Sequence, residues 1–205
     1  MTGTHDIYEQ IAKRTGGDIY IGVVGPVRTG KSTFIKNFME KTVIPNISDV
    51  EARTRARDEL PQSAGGRTVM TTEPKFIPDD AVTVTLDGNA SLRVKMIDCV
   101  GYLVPDALGT IEEGQPRMVH TPWQEEPIPF REAAEMGTYK VITEHATIGM
   151  LVTTDGSIGE IPRESYVEAE DKIGNVLMTA WLVCSVVAVQ CEIERLVMLD
   201  DCLVE

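Results

Sequence analysis

The sequence lacks several features that would place it in common functional classes. Acidic residues outnumber basic ones, 32 Asp and Glu against 19 Lys and Arg, so the net charge is -13 over 205 residues. A general nucleic-acid binder needs concentrated Lys and Arg, so this balance predicts no nucleic-acid partner and leaves room only for a local basic patch. The first residues contain no basic start followed by an apolar core, which predicts no secretory signal.

Cysteine is scarce and has no recognisable spacing. The four cysteines form no CxxC pair and have no histidine nearby in the sequence. We therefore expect buried free thiols in a reducing, cytoplasmic compartment rather than disulfides or a metal site. Residues 176–189 carry no charge, but this run is too short for a membrane span and predicts a buried strand or core helix.

The order of strand and helix patterns predicts the fold class. Strands are predicted at 18–25, 81–86, 91–101 and 146–157, helices at 32–43 and 131–145, a short amphipathic helix near Asp6, and an exposed connection at 45–66 with one helical piece. The strands at 81–86 and 91–101 have hairpin spacing and should pair antiparallel. Alternating strands and helices predict an α/β domain with a mostly parallel sheet flanked by helices. The Pro- and Gly-rich residues 102–130 are predicted to be an irregular insertion.

The residues GPVRTGKS, at positions 25–32, match the phosphate-loop pattern GxxxxGK[ST]. Glycines let the backbone bend so that successive N–H groups face phosphate oxygens, and the following helix adds its positive N-terminal end. Lys31 can reach the β- and γ-phosphates, and the Ser32 hydroxyl can ligate Mg²⁺. The predicted nucleotide-binding residues are Gly25, Pro26, Val27, Arg28, Thr29, Gly30, Lys31, Ser32 and Thr33.

A second motif supplies a metal ligand. The strand sequence MIDCVG ends in Asp98 and is followed by Gly101, the DxxG pattern. Asp98 at a strand end can hold Mg²⁺, and the Gly101 N–H can meet the γ-phosphate. In GTPase-like domains a threonine between the first helix and the next strand closes over the metal, and Thr71 and Thr72 occupy that interval, with Thr68 as a rival.

Two aspects of the chemistry stay open from the residues alone. Glu73 or a residue of 102–130 could orient the attacking water, and the sequence does not choose between them. The guanine-reading pattern [NT]KxD is absent, which favours ATP over GTP. A GTP-dependent switch and a nucleotide-binding remnant without hydrolysis remain the alternatives.

Several long strings resemble the stage IV sporulation protein A family of endospore-forming bacteria. They are GPVRTGKSTFIKNFME, TTEPKFIP, MIDCVGYLVP, GQPRMVHTPW, EEPIPFREAAEMGT and TIGMLVTTDGSIGEIPRESYVEAE, within residues 1–170. The resemblance implies a P-loop NTPase of GTPase-like (TRAFAC) type that hydrolyses ATP with Mg²⁺. On the matching positions, the essential lysine is Lys31, the metal-site aspartate is Asp98, and the sensor threonines are Thr71 and Thr72.

The resemblance also implies a biological setting. Family members self-assemble into filaments that form the basement layer of the spore coat, on the outer forespore membrane and from the mother-cell cytoplasm. A small amphipathic membrane-bound peptide helps to recruit them, so their association with the membrane is indirect, and other coat proteins are further partners.

The resemblance predicts two parts, a P-loop ATPase domain at 1–170 and an atypical apolar segment at 171–205. The family continues with a helix and a core strand after residue 170, and then with middle and C-terminal domains. Residues 171–205 either fill the place of that helix and strand poorly or reflect truncation or a shifted reading frame.

Overall fold

The computed structural model describes residues 18–61, 73–85, 91–105, 107, 109–154, 161–180, 183–189 and 196–199. Its helices are α1 (Lys31–Phe38), α2 (Val50–Asp58), α3 (Phe130–Lys140) and α4 (Glu164–Thr179). Its strands are β1 (Asp18–Val24), β2 (Lys75–Thr85), β3 (Ser91–Asp98), β4 (Ile111–Glu112), β5 (Gln115–Pro116), β6 (Met118–Thr121), β7 (Gln124–Pro129), β8 (Ile148–Thr154), β9 (Val183–Val189) and β10 (Leu196–Leu199).

A six-stranded sheet in the order β10-β9-β8-β1-β3-β2 forms the centre of the described fold. β1 pairs parallel with both β3 and β8, and β8 pairs parallel with β9. The hairpin strands β2 and β3 pair antiparallel, as do β9 and β10. The prediction of an α/β domain with a mostly parallel sheet flanked by helices is therefore confirmed.

Apolar side chains on the two faces of the sheet make two cores. On one face Val23 and Met96 pack with Ile35 of α1 and with buried apolar residues between α1 and α2, including one residue of α2 itself. On the other face Val24 and Ile97 pack with residues of α3 and α4. Each fully buried aliphatic side chain of this kind contributes about 1.5–3 kcal/mol relative to an exposed one. Because the central strands are covered on both faces, their sequences read as apolar runs and not as an alternation of apolar and polar residues.

The strand order determines where a ligand can bind. In the sheet, β3 lies on one side of β1 and β8 lies on the other. The connections that follow β1 in the chain therefore lead to opposite sides of β1 and diverge at its carboxyl end. In open α/β sheets such a switch point leaves a crevice outside the carboxyl ends of the strands. The loop at 25–32 begins there, directly after β1.

The structure corrects the expectation for residues 102–130. Much of this segment is not irregular, because β4 pairs with β5 and β6 pairs with β7 in two small antiparallel sheets. Most of these strand residues are exposed, so they carry no alternating apolar pattern that could have predicted them. β2 also begins at Lys75, six residues before the predicted strand, since the Pro- and Asp-containing stretch there still pairs with β3 across a register shift.

Both predicted helices end in a wider turn. α1 continues as a π-helical segment at Met39–Val43, and α3 continues as another at Val141–His145. α2 lies within the predicted connection 45–66, where the Asp49 side chain caps it by accepting from the Ala52 N–H at 2.7 Å. Such a cap satisfies an N–H group that would otherwise have no partner at the helix start.

The uncharged run at 176–189 is divided between the end of α4 and strand β9. α4 also continues through residue 170, where the sequence predicted a domain boundary, and that division stays a prediction. No helix among the described residues is long and apolar enough to cross a membrane. The predicted amphipathic helix near Asp6 lies outside the described residues.

Candidate nucleotide site

The predicted phosphate loop connects β1 to α1 and is tightly packed against the ends of its neighbours. Gly25 has a φ of 151°, and a Cβ there would overlap the carbonyl oxygen of Val152 on β8. The backbone of Pro26 pairs with Tyr102, and the Val27 N–H donates to the Tyr102 carbonyl at 2.9 Å. The loop is therefore held between β8 on one side and the segment after β3 on the other.

Lys31 is almost completely buried, with 5% of its surface exposed. Its ammonium donates to the Pro26 carbonyl oxygen at 2.6 Å, and the buried Thr29 hydroxyl donates to the same oxygen at 3.0 Å. Burial lowers the pKa of Lys31, and the nearby Cys99 and Asp98 offset this only in part. A buried cation that rests on a single carbonyl would gain from a phosphate anion at this position.

Ser32 and Asp98 are brought together as predicted. The Ser32 hydroxyl donates to Asp98 Oδ2 at 2.6 Å. Asp98 Oδ1 is buried and has no hydrogen-bond partner among the residues that the structure describes. Burial raises the pKa of this carboxyl despite the hydrogen bond from Ser32 and the charge of Lys31. The pair thus places a hydroxyl oxygen on one oxygen of a carboxylate whose other oxygen, Oδ1, has no hydrogen-bond partner among the described residues.

This donor set fits Mg²⁺. The ion prefers oxygen ligands, and it is commonly held by one or two protein groups together with substrate phosphates rather than by an all-protein cage. Among the described residues no three His, Cys, Asp or Glu side chains cluster as a metal site of their own. Ser32 and Asp98 are the residues that would hold the ion.

Gly101 lies directly on the phosphate loop, with a φ of 90°. A Cβ at this position would overlap the carbonyl oxygen of Gly25 and lie 2.7 Å from Lys31 Nζ. No other residue type could leave its backbone so close to both groups. The DxxG motif therefore places its glycine beside Lys31, and the predicted contact of the Gly101 N–H with the γ-phosphate stays a prediction.

The structure does not describe two of the predicted site residues, and it leaves a third at the surface. Thr71 and Thr72, together with their rival Thr68, lie outside the described residues. Thr33 is described and is exposed on the first turn of α1. Their roles stay predictions.

Two further polar contacts near the loop were not predicted from the sequence. Thr153, on β8, donates to Glu170 of α4, which also pairs with Arg163 at 2.7 Å. Beneath the loop, the Thr138 hydroxyl lies 3.7 Å from Cys99 Sγ, and burial raises the pKa of this thiol to about 11. The prediction of buried free cysteines is confirmed for Cys99. The contact of Cys99 with Thr138 could not be predicted, because the helical sequence around Thr138 indicates only its local hydrogen bond to Ala134.

Comparison with known sequences decides the family. The family model described as Stage IV sporulation protein A, ATPase domain, matches residues 2–187. The chain belongs to the stage IV sporulation protein A family. The match extends beyond residue 170, where the resemblance visible in the sequence ended, and takes in α4 and most of β9.

Individual family members are also closely similar. The Stage IV sporulation protein A of Bacillus anthracis is 63% identical over 172 residues, that of Bacillus subtilis 61% over 168, and that of Clostridioides difficile 59% over 169. The aligned regions cover 82–84% of this chain but only 34–35% of the relatives. The chain therefore spans about one third of the length of these stage IV sporulation proteins and corresponds to their ATPase domain, which implies nucleotide binding.

Proposed function

We propose that this chain is a P-loop ATPase of GTPase-like type, which binds Mg²⁺–ATP at residues 25–32 and hydrolyses it to ADP and phosphate. The observation that carries the proposal is the hydrogen bond between Ser32 and Asp98, next to a buried lysine at the start of a helix. Two oxygen ligands and one cation are thereby gathered where a loop of backbone N–H groups meets the carboxyl end of the sheet.

In the proposed reaction the chain positions the triphosphate and stabilises its charge. Lys31 exchanges the Pro26 carbonyl for phosphate oxygens, and the phosphate charge favours the protonated form of this buried amine. The loop N–H groups and the N-terminus of α1 donate to the remaining oxygens. Bound Mg²⁺ would neutralise charge on the β- and γ-phosphates. Gly101 leaves room for its own N–H to approach the terminal phosphate.

ATP is the proposed nucleotide because no [NT]KxD motif, which reads guanine, occurs in the sequence. The ATPase description of the matched family supports the same choice. The water-orienting residue is proposed to lie among Glu73 and residues 102–130, and closure over the metal is assigned to Thr71 and Thr72.

The wider role is proposed from membership of a family whose members are named sporulation proteins. We propose that the protein acts in sporulation, self-assembling into filaments of the spore-coat basement layer at the forespore outer membrane, on the mother-cell cytoplasmic side. A small amphipathic membrane-bound peptide and other coat proteins are the proposed partners, so attachment to the membrane is indirect. No nucleic-acid partner is proposed, given the net charge of -13.

Replacement of the buried lysine tests the ATPase assignment. Lys31→Ala should reduce phosphate release from ATP to background and abolish stabilisation by Mg²⁺–ATP, because the buried charge facing the phosphates is lost. Lys36→Ala, which removes a lysine from the last turn of the same helix, is the matched control and should retain the wild-type rate. Unchanged turnover in Lys31→Ala would refute the assignment.

A further inference from the structure

Arg28 differs from every other residue of the phosphate loop. Within residues 25–32, all of which are described, Arg28 alone is exposed, whereas the others are buried or half-buried. It lies three residues before Lys31, so its backbone belongs to the proposed phosphate cradle while the residue is accessible to solvent. The membership of Arg28 in the loop does not by itself give this side chain a role.

The backbone of Arg28 is in a conformation that an arginine adopts at a cost. Its φ is 64°, in the left-handed region, which is unfavourable for a residue with a Cβ and is readily adopted by glycine. Backbone strain of this kind persists where the surrounding structure imposes it and is concentrated at functional sites. Glycine would form the same turn without the cost, so the side chain is the part that requires an explanation.

The guanidinium of Arg28 has no hydrogen-bond or ion-pair partner among the described residues, in contrast to four other arginines that do. Arg53 donates to Ile47, Arg131 donates to Leu103, Arg93 pairs with Asp18, and Arg163 pairs with Glu170. The charge of Arg28 partly offsets the rise in the pKa of Tyr166 that burial causes. Within the described part of the chain, a guanidinium without a hydrogen-bond or ion-pair partner is therefore available at the edge of the loop.

Phosphoryl transfer has a use for such a group. In the transition state negative charge is spread over the oxygens of the transferred phosphoryl group, and a guanidinium can donate two parallel N–H bonds to them. Lys31 is a compact charge already fixed inside the loop, whereas Arg28 has a long side chain that can change rotamer when the nucleotide binds. Arginine supplied from the same chain is an established way to stabilise this charge.

We propose that Arg28 is a catalytic residue that stabilises the transferring phosphoryl group in cis, an inference that rests on the proposed ATPase function. In the step it assists, the bond between the γ-phosphorus and the β–γ bridging oxygen breaks while the water oxygen forms its bond to phosphorus. ADP leaves with the bridging electron pair, and the proton of the water passes to the phosphate product. Arg28 donates hydrogen bonds throughout and transfers no proton.

Three replacements separate catalysis from loop structure. Arg28→Ala and Arg28→Gly should lower kcat for ATP on the order of 10³-fold while the affinity for Mg²⁺–ATP changes only slightly, because the contact forms in the transition state. Arg28→Gly should also raise the melting temperature of the nucleotide-free chain, since it removes the left-handed strain. Arg28→Lys should recover only part of the rate, because an ammonium lacks the planar pair of donors.

Chemical rescue provides a readout that a structural role would not change. Guanidinium at low millimolar concentration should restore part of the turnover of Arg28→Gly and have no such effect on Arg57→Ala, a matched exposed arginine on α2. Mixing Arg28→Ala with Lys31→Ala chains should restore no activity. Recovery in that mixture would overturn the assignment in cis.

The outcome for Arg28 can be distinguished from the outcome for the ATPase itself. If the wild-type chain hydrolyses ATP and Arg28→Ala retains its kcat, Arg28 is not catalytic and the proposed function stands. If the wild-type chain releases no phosphate while Lys31→Ala behaves identically, the ATPase proposal fails, and the role of Arg28 fails with it.

Discussion

At the scale of single residues, the polar groups of the candidate site satisfy one another before any ligand is considered. Ser32 donates to Asp98, and Lys31 donates to Pro26. These contacts hold the groups together where the end of β3 meets the start of α1. The cost of this arrangement is concentrated on Asp98, whose second carboxylate oxygen is buried without a hydrogen-bond partner in the described part of the chain.

Replacing Asp98 should therefore change the stability of the nucleotide-free fold and the binding of nucleotide in opposite directions. Asp98→Asn should raise the melting temperature of the nucleotide-free protein, because the raised pKa of Asp98 shows that the ionised form is disfavoured there even with Lys31 beside it. The same variant should lose Mg²⁺-dependent nucleotide binding, since an amide is a poor ligand for this ion. Thermal melts with and without Mg²⁺–ATP measure both effects.

The sign of the pH dependence follows from the same shift. The pKa of Asp98 is higher in the folded chain than its ordinary value of 3.8, so its ionised carboxylate destabilises the fold at neutral pH. That penalty is lost as the pH falls through the raised pKa towards 3.8. The difference in melting temperature between Asp98→Asn and wild type should be largest at neutral pH and shrink on acidification, and a constant difference would contradict this explanation.

At the scale of elements, one glycine determines how closely β1 can approach the turn after α3. A Cβ on Gly22 would lie 2.8 Å from Ala146 Cβ and 3.0 Å from Val141 Cγ1. Gly22→Ala should therefore destabilise the fold by about 1–3 kcal/mol, the usual cost of overpacking a core. Denaturant unfolding measures this change.

Gly174 is the matched control for that substitution. It lies inside α4, and a Cβ there would meet no atom within 4 Å. Gly174→Ala should stabilise the protein by about 0.5–1 kcal/mol, because alanine loses less backbone entropy than glycine in a helix. If both substitutions change the free energy of unfolding equally, contact at Gly22 is not the reason.

The sequence predicted the elements whose burial gives a periodic pattern and missed those without one. β1 and β8 are buried on both faces and read as apolar runs, and the hairpin of β2 with β3 follows from its spacing. The short exposed strands at 111–129 pair with each other instead of the main sheet, so hydrophobic periodicity is absent. No local sequence pattern predicted the π-helical turns at 39–43 and 141–145.

The same distinction holds for the candidate site. The proximity of Lys31, Ser32, Asp98 and Gly101 was predictable because two spacing motifs, GxxxxGK[ST] and DxxG, each follow a strand of the same sheet. The link from Thr153 to Glu170 and Arg163 was not, because it joins a strand to a helix through a tertiary contact between common residue types. Arg28 was predicted as part of the loop, but its exposure and left-handed backbone emerged only from the structure.

At the scale of the whole molecule, the sheet order explains why motifs far apart in sequence form one site. β1 lies between β3 and β8, so the loop after β1 meets Gly101 from one neighbour and Val152 from the other. The chain is a family ATPase domain that spans about one third of its relatives' length. The site's chemistry can therefore be tested on this domain separately from proposed assembly into filaments.

The most direct test of the central claim is phosphate release by this chain from ATP and from GTP, each measured with and without Mg²⁺. The arrangement of Lys31, Ser32 and Asp98 predicts release from ATP that requires Mg²⁺, with GTP a poorer substrate. No release from either nucleotide, or release that is unchanged when Mg²⁺ is removed, would contradict the proposed Mg²⁺–ATP hydrolysis site.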